Sequence, residues 1–522
     1  MVDGKEQIKY PIGEQSFSGL REGGYLYVDK TRFIEKIING GKYLFLGRPR
    51  RFGKSLFLST LKCFFEGRRS LFKGLYADTI DWEWDSYPVL YLDINIEKYK
   101  TCESLYQVLD NNLSIWEEAY GVDRISGSLS VRFSNVIRCA AQKTGKPVVI
   151  LVDEYDKPLV NNLHDEKMAD YFRDELAAFY SNFKSGADYI RLVMLTGVSR
   201  FSQLSVFSGL NNINDISFDK EYSDICGISE EELHQSLRDG VERLGEKHGT
   251  TYQETCAELK RHYDGYLFTL GGKEMYNPYS LLSVMDKGEY GNFWIESGQP
   301  TLLLEQLKRY DVDLQELFQA ECVLSDLKGL DLKHSGPEAL LYQTGYLTIK
   351  SYNPATTLIT LGIPNLEVKE GFLKFLLPYY ANMQGKSTNF NIIKFTEDLC
   401  KGDVEGFMER LQSIFAAVPY EMNMDSEKNV HNALLMLIML LGLEVQTEYR
   451  TSRGRIDLFI KTERYYYIIE LKLDGSAQEA LAQINDRNYS LPFEADDREI
   501  IKVGVNFSRK ERTIEDWLIE YN

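Results

Sequence analysis

A multidomain α/β chain with a parallel sheet covered on both faces is the fold this sequence predicts, and three observations predict it. Short apolar runs at Tyr43–Leu46, Val89–Leu92, Val148–Val152 and Leu192–Leu195 are separated by segments of helical periodicity, the pattern of parallel strands buried on both faces. GRPRRFGKS, from Gly47 to Ser55, follows the first run and opens an amphipathic segment, as a phosphate-binding loop does. Near the carboxyl end, Gly454–Ile460 and Tyr465–Leu473 read as an antiparallel strand pair carrying acidic residues.

In the loop, backbone N–H groups at the helix start would face a phosphate. Lys54 would reach its outer oxygens and the Ser55 hydroxyl would ligate Mg²⁺. Gly47, Arg48, Arg51, Gly53, Lys54, Ser55 and Leu56 are the candidate nucleotide contacts. The general G-x-x-x-x-G-K-[ST] pattern puts its first glycine at position 48, which is Arg48 here, and the nearest glycine is Gly47. A basic turn at a helix start is the competing reading of the triplet alone.

Ligands of open parallel sheets bind at the carboxyl ends of the strands. Those ends are Gly47, Asp93, Asp153 and Thr196. Asp153-Glu154 strengthens the hydrolase reading. Asp153 would hold Mg²⁺ through water and Glu154 would orient or deprotonate the attacking water. Thr196 is placed to sense the γ-phosphate, and Arg200, four residues on, to touch the same charge.

Farther along, Ser229-Glu230-Glu231-Glu232 matches a capping box, followed by Leu233, Leu237, Val241 and Leu244 at helical spacing. Tyr263-Asp264-Gly265-Tyr266 and Tyr276-Asn277-Pro278-Tyr279-Ser280 read as loops around a short hairpin at Gly271-Gly272, with their aromatics as packing residues. Between Pro300 and Met383, helices precede a strand pair, Tyr346–Ile349 and Leu358–Leu361, a winged-helix-like order with no basic face, which favours internal packing over DNA contact.

In the carboxyl-terminal region a helix is expected over Glu427–Leu441. If Ile460 pairs with Tyr465, Asp457 lies opposite Ile468 and shares a face with Glu470 and Lys472. Two converging carboxylates suit Mg²⁺ or Mn²⁺, and Lys472 would add positive charge beside a scissile phosphate. By spacing alone, an exposed face laced with cross-strand ion pairs is favoured. None of the six histidines shows ligand spacing such as H-E-x-x-H.

Bulk properties bound the rest. The 522 residues allow roughly three or four domains. A net charge of -18 excludes a non-specific nucleic-acid coat and leaves room for a local basic groove. Seven scattered cysteines without a C-x-x-C pair read as reduced thiols, and with no apolar core in MVDGKEQIKYPIGEQ a cytoplasmic protein is expected. The longest apolar run, Ala433–Leu443, is well short of the roughly 20 residues that span a bilayer, so no membrane partner is expected.

The set VDKT (Val28–Thr31), RPRRFGKSL (Arg48–Leu56), DEYDKP (Asp153–Pro158) and TGVSRFS (Thr196–Ser202) resembles the bacterial AAA-ATPase-like proteins that carry a PD-(D/E)xK nuclease-type domain at the carboxyl end. Arg48 in place of the first glycine is the usual form in that family. The resemblance implies an AAA-like P-loop (ASCE) domain over 1–220, a helical lid over 221–299 and a nuclease-like domain over 421–522, and the helical, winged-helix-like stretch read between them is a connector over 300–420. It also places Asp156 near the site without a role. D-x12-E-x-K from Asp457 is similar to the PD-(D/E)xK core, with Ile456 where a proline is common. Gln483 and Tyr489 match its Q-x5-Y on a helix over Ala477–Tyr489, and a strand over Glu499–Phe507 completes an αβββαβ order. Glu427 on the leading helix would add an acidic ligand. The expected function is an ATP-binding and hydrolysing protein coupled to a metal-dependent nuclease acting on DNA. The alternative is a nucleotide-dependent switch or scaffold that binds nucleic acid or protein without cleavage. A homo-oligomer is compatible with either.

Overall fold

The computed structural model describes residues 8–124, 127–163, 165–199, 213–298, 307, 314–318, 320–329, 336–381, 386–416, 432, 434 and 444–521. Arg200, Glu427, the helix expected over Glu427–Leu441 and the Ala433–Leu443 run lie outside the described residues, apart from isolated positions. Two compact units divide the chain: Met1–Asp311 with Phe318–Val368, and Val312–Leu317 with Lys369–Asn522.

The first unit is built on a parallel sheet of β1 (Tyr43–Gly47), β2 (Val89–Asp93), β3 (Val148–Asp153), β4 (Ile190–Gly197) and β5 (Asn214–Asp215), in the order β2-β3-β4-β1-β5. Successive residues of each strand face opposite sides, and the core divides accordingly. Leu90, Ile150, Val152, Val193 and Leu195 pack under the helices Cys102–Tyr120, Leu129–Thr144 and Glu166–Tyr180. Leu44, Leu46, Val149, Leu151 and Met194 pack under Arg32–Ile38 and Lys54–Phe65. Burial on both faces is why β1, β3 and β4, and in large part β2, read as unbroken apolar runs. Pairings Gly47↔Gly197 and Asp93↔Asp153 bring the strand ends to one edge.

Residues from Ile228 to Met285 form a separate core around Leu233, Val241, Leu259, Tyr276 and Leu281. The expected capping box is present, with Ser229 and Glu232 bonding each other's backbone N–H. β6 (Tyr266–Leu267) and β7 (Glu274–Met275) make the short hairpin. An antiparallel sheet of β8 (Glu321–Val323), β9 (Thr348–Asn353) and β10 (Leu358–Gly362) follows, ordered β8-β10-β9.

The second unit holds a five-stranded sheet in sequence order, β11 (Glu444–Thr451), β12 (Gly454–Lys461), β13 (Tyr465–Leu473), β14 (Glu499–Ser508) and β15 (Thr513–Tyr521). β13 and β14 are parallel, joined by the crossover helix Ala477–Asp486, and the other pairs are antiparallel. β15 had no counterpart in the sequence reading. The β12–β13 register is displaced by two residues from the one expected: Ile460 pairs with Tyr467, not Tyr465. Thr462 causes the shift, donating its N–H to the Tyr465 carbonyl at 2.9 Å while its hydroxyl accepts the Tyr465 N–H at 2.9 Å. The two-residue slip preserves the face each side chain occupies. Gly504, register partner of Glu470, lets the crossover helix press onto the sheet: a Cβ there would sit 2.4 Å from the Ala477 carbonyl oxygen and 2.5 Å from the Leu481 nitrogen.

Candidate active sites

The loop after β1 reaches its helix through two residues in the left-handed region, Arg51 at φ 67° and Gly53 at φ 98°. A Cβ on Gly53 would meet nothing within 4 Å, so glycine is favoured there for its φ rather than for space. Gly53 turns the chain so that the Lys54–Phe65 helix begins with its N–H groups at a cleft of about 410 Å³. Arg50, Arg51, Gly53, Lys54, Ser55 and Leu56 line the cleft on this side, and Glu154 and Lys157 face them. Lys54 is buried, its ammonium donating to the carbonyls of Arg48 at 2.9 Å and Pro49 at 3.0 Å. A phosphate in the loop would compete with those carbonyls for the same protons.

Arg48 does not join them. Its guanidinium is buried behind the loop, donating to the carbonyls of Gly47 (2.8 Å), Ser217 (2.8 Å) and Tyr222 (3.0 Å) and resting 4.4 Å from the Phe268 ring centroid. Burial lowers its pKa. It braces the loop and does not line the cleft.

At the sheet edge, the buried Asp153 carboxylate accepts the Thr196 hydroxyl at 2.5 Å. Burial, then the Asp153 charge, raises the Tyr91 hydroxyl on the neighbouring strand, and burial raises Asp93, opposed by its bond from the Asn95 N–H. Glu154 has φ 51°, a left-handed backbone that non-glycine residues adopt at a cost and that clusters at functional sites. Its carboxylate lines the cleft, 3.6 Å from the Lys157 ammonium. Asp156 is the residue to which sequence gave no role. Buried, it accepts the N–H groups of Val198 (3.0 Å) and Ser199 (2.6 Å), gripping the chain just beyond β4. Burial pushes its pKa up to about 6, with the Ser199 bond opposing. A Cβ on Gly197 would lie 2.7 Å from Asp156 Oδ1, so only glycine permits this approach.

Tyr279, expected from the sequence to be a packing residue, is part of the cleft wall instead. Tyr279 faces the cleft with the Arg51 guanidinium 4.9 Å from its ring centroid. Asn277, capping the Pro278–Lys287 helix through the N–H groups of Tyr279 and Ser280, fixes its position. Pro11–Gln15, Leu282, Trp294, Leu340 and Tyr346 also line the cleft. Lys157 had a signal, a cation three residues beyond Glu154; Pro11–Gln15 had none.

In the second unit, β12 and β13 bring Asp457 beside Glu470. Asp457 Oδ2 accepts the Leu471 N–H at 2.8 Å, and its own N–H points to Glu470 Oε2 at 3.5 Å. Gln483 on the crossover helix joins the set, donating to Glu470 Oε1 and accepting from the Lys472 ammonium at 2.5 Å. Lys472 lies 3.8 Å from Glu470. Burial, then the Asp457 charge, pushes the buried Glu470 up to about 8, with Lys472 opposing. Oxygen donors crowded at this cost fit a hard divalent cation, which would relieve their repulsion and keep several waters. Among the described residues no group of three or more His, Cys, Asp or Glu converges, and Asp457 and Glu470 are the acidic pair brought together there. Tyr489 is buried beneath the β11–β12 turn, its hydroxyl 2.7 Å from where a Cβ of Gly454 would lie, and packs in the core.

Residues 11–207 match the family model described as predicted AAA-ATPase, AAA-ATPase-like, and residues 425–517 match that of the PD-(D/E)XK nuclease superfamily. An uncharacterized protein in the vnfD 5′ region of Azotobacter chroococcum mcd 1 is 34% identical over 526 residues, covering 98% of this chain and 99% of its own length. The chain belongs to the AAA-ATPase-like family with a carboxyl-terminal PD-(D/E)XK nuclease-superfamily domain. The loop, the strand ends and part of the cleft lie in the AAA-ATPase-like domain, while the rest of the cleft wall, from Pro278, Tyr279 and Leu282 through Trp294 to Leu340 and Tyr346, comes from beyond its matched residues. Asp457, Glu470, Lys472 and Gln483 all lie in the PD-(D/E)XK domain. Among the described residues no helix is long and apolar enough to cross a membrane.

Proposed function

We propose that this protein binds and hydrolyses ATP and that its carboxyl-terminal domain cleaves DNA phosphodiesters with a divalent metal, Mg²⁺ or Mn²⁺. The observation that carries the first half is the placement of Lys54, Ser55 and Glu154 around one cleft. In this reading the Lys54–Phe65 helix start and Lys54 hold the phosphates, and Ser55 and Asp153 face the Mg²⁺ that accompanies them. Glu154 orients water at the γ-phosphate. Arg51, Tyr279 and Leu282 flank the base and ribose, since an aromatic and an aliphatic side chain suit a purine face. The helical core from Ile228 to Met285 acts as the lid, within the division 1–220, 221–299, 300–420 and 421–522.

For the second half, Asp457 and Glu470 would hold the metal, which when bound polarises the phosphodiester and supplies an activated water. Gln483 orients the Glu470 carboxylate and the Lys472 ammonium at once. Lys472 sets positive charge beside the scissile phosphate.

Labelled DNA incubated with the full chain in Mg²⁺ or Mn²⁺, with and without ATP, tests the reading. Cleavage that disappears in Asp457→Ala and Lys472→Ala is expected, and no cleavage under any condition overturns the nuclease half. Lys54→Ala should weaken ATP binding, and Glu154→Gln should keep binding while abolishing turnover. Turnover unchanged in both variants overturns the ATPase half.

A further inference from the structure

The sheet of the second unit presents a concentration of arginine beside the Asp457–Glu470 pair that a chain of net charge -18 makes conspicuous. β11 and β12 pair through Thr451↔Gly454, so Ser452-Arg453 is a two-residue turn at the tip of the hairpin. Arg453 and Arg455 are exposed. Arg455 is two residues from Asp457 on β12, hence on the same face and about 7 Å along the strand. The crossover helix brings a third. Arg487 donates its N–H to the Gln483 carbonyl at 3.1 Å, one helical turn past the glutamine that bridges Glu470 and Lys472, and its guanidinium reaches back to the Arg453 carbonyl at 3.3 Å. Hairpin tip and helix end are thereby tied together.

Two other cations at this end of the sheet are held by acidic neighbours. Arg509 is paired with Asp474 at 2.5 Å and Lys510 with Glu511 at 3.1 Å. Among the described residues Arg453 and Arg487 make no ion pair.

We propose that Arg453, Arg455 and Arg487 form a clamp for the phosphates of a DNA strand, holding it beside the acidic pair. The proposal rests on the nuclease reading and adds the surface that delivers the substrate. Guanidinium forks bind phosphate oxygens bidentately. A spacing of about 7 Å from Arg455 to Asp457 is roughly two nucleotide rises, so a strand gripped at the tip lays a neighbouring phosphodiester over Asp457 and Glu470. Such contacts position a strand and read no sequence, so the clamp fits a substrate chosen by its backbone rather than its bases.

Labelled DNA is titrated with the full chain in EDTA, where no metal supports cleavage, at salt concentrations from 50 to 200 mM. The variant Arg453→Ala/Arg455→Ala/Arg487→Ala is expected to lose at least tenfold in affinity, and its plot of log affinity against log salt to become shallower by roughly two to three. The corresponding triple lysine variant, which keeps the charges, should recover most of the slope. Arg464→Ala, at the turn on the opposite end of the β12–β13 hairpin, should match the unmodified chain. Unchanged affinity and slope in the triple alanine variant, or an equal loss in Arg464→Ala, overturns the clamp and leaves the nuclease reading standing. Failure of the unmodified chain to bind DNA at any salt overturns both.

Discussion

The carboxylate of Asp156 accepts the backbone N–H of Ser199 at 2.6 Å, and through it the strand end bearing Glu154 holds the strand end bearing Thr196. Tyr155 reinforces the hold, donating its N–H to the Thr196 carbonyl at 2.9 Å and its hydroxyl to the Ser199 carbonyl at 3.0 Å. Asp156→Ala leaves the Val198 and Ser199 amides without their acceptor, which should lower unfolding free energy by about 2–4 kcal/mol. ATP turnover should fall more than ATP affinity. Asp156→Asn, which keeps one acceptor oxygen, should lose less of both. Denaturant melts and steady-state ATPase rates check this.

Arg48 separates bracing from binding. Arg48→Met removes the donor from the Ser217 and Tyr222 carbonyls and should lower stability by about 2–4 kcal/mol. Well below the melting temperature its ATP affinity, measured calorimetrically, should stay within about threefold of the unmodified chain, because the side chain does not line the cleft.

A pH test falls on Glu367, buried and accepting the Trp294 N–H at 2.7 Å while the Trp294 indole donates to the Arg50 carbonyl. Burial pushes Glu367 from its ordinary 4.5 up to about 7. Between those values the folded chain binds more protons than the unfolded one, so this group's contribution to stability falls as pH rises through that window and is level above it. Its size is on the order of 3 kcal/mol. Glu367→Gln, which can still accept from Trp294, should be the more stable protein at pH 8 by about that amount and its equal near pH 4, read from denaturant melts at each pH.

Metal addition tests the acidic pair without reference to cleavage. At ten times the dissociation constant, Mg²⁺ or Mn²⁺ should raise unfolding free energy by about 1.4 kcal/mol, seen as a shift in the carboxyl-terminal domain's melting transition. Asp457→Ala should show no such shift. Gln483→Ala should keep a smaller one, since Glu470 then lacks its hydrogen-bond donor.

Much of this organisation is legible in the sequence because it rests on local pattern. Val148–Asp153 is apolar until its last residue and is buried throughout, so both strand and terminus could be read. Period two, with an assumed Ile460–Tyr465 pairing, placed Asp457, Glu470 and Lys472 on one face, and the parity survived a register displaced by two residues. What stayed hidden depends on distant partners. Arg48 looks like a phosphate ligand by position, and only the carbonyls of Ser217 and Tyr222 turn it away. Asp156 acquires its role from amides some forty residues on. The mixed polar run of β15, in which Ile514 is the one buried residue, lacks the alternation that marks a strand.

Gly504 has no functional group to offer, yet Gln483 can reach Glu470 only while the helix above stays at its present height. A single methyl at that position would lift the helix off β14 and carry the amide beyond hydrogen-bond range. An inventory of inactivating substitutions in the nuclease-like domain should therefore include Gly504→Ala, a change with no chemistry of its own that detunes a bond between two other residues.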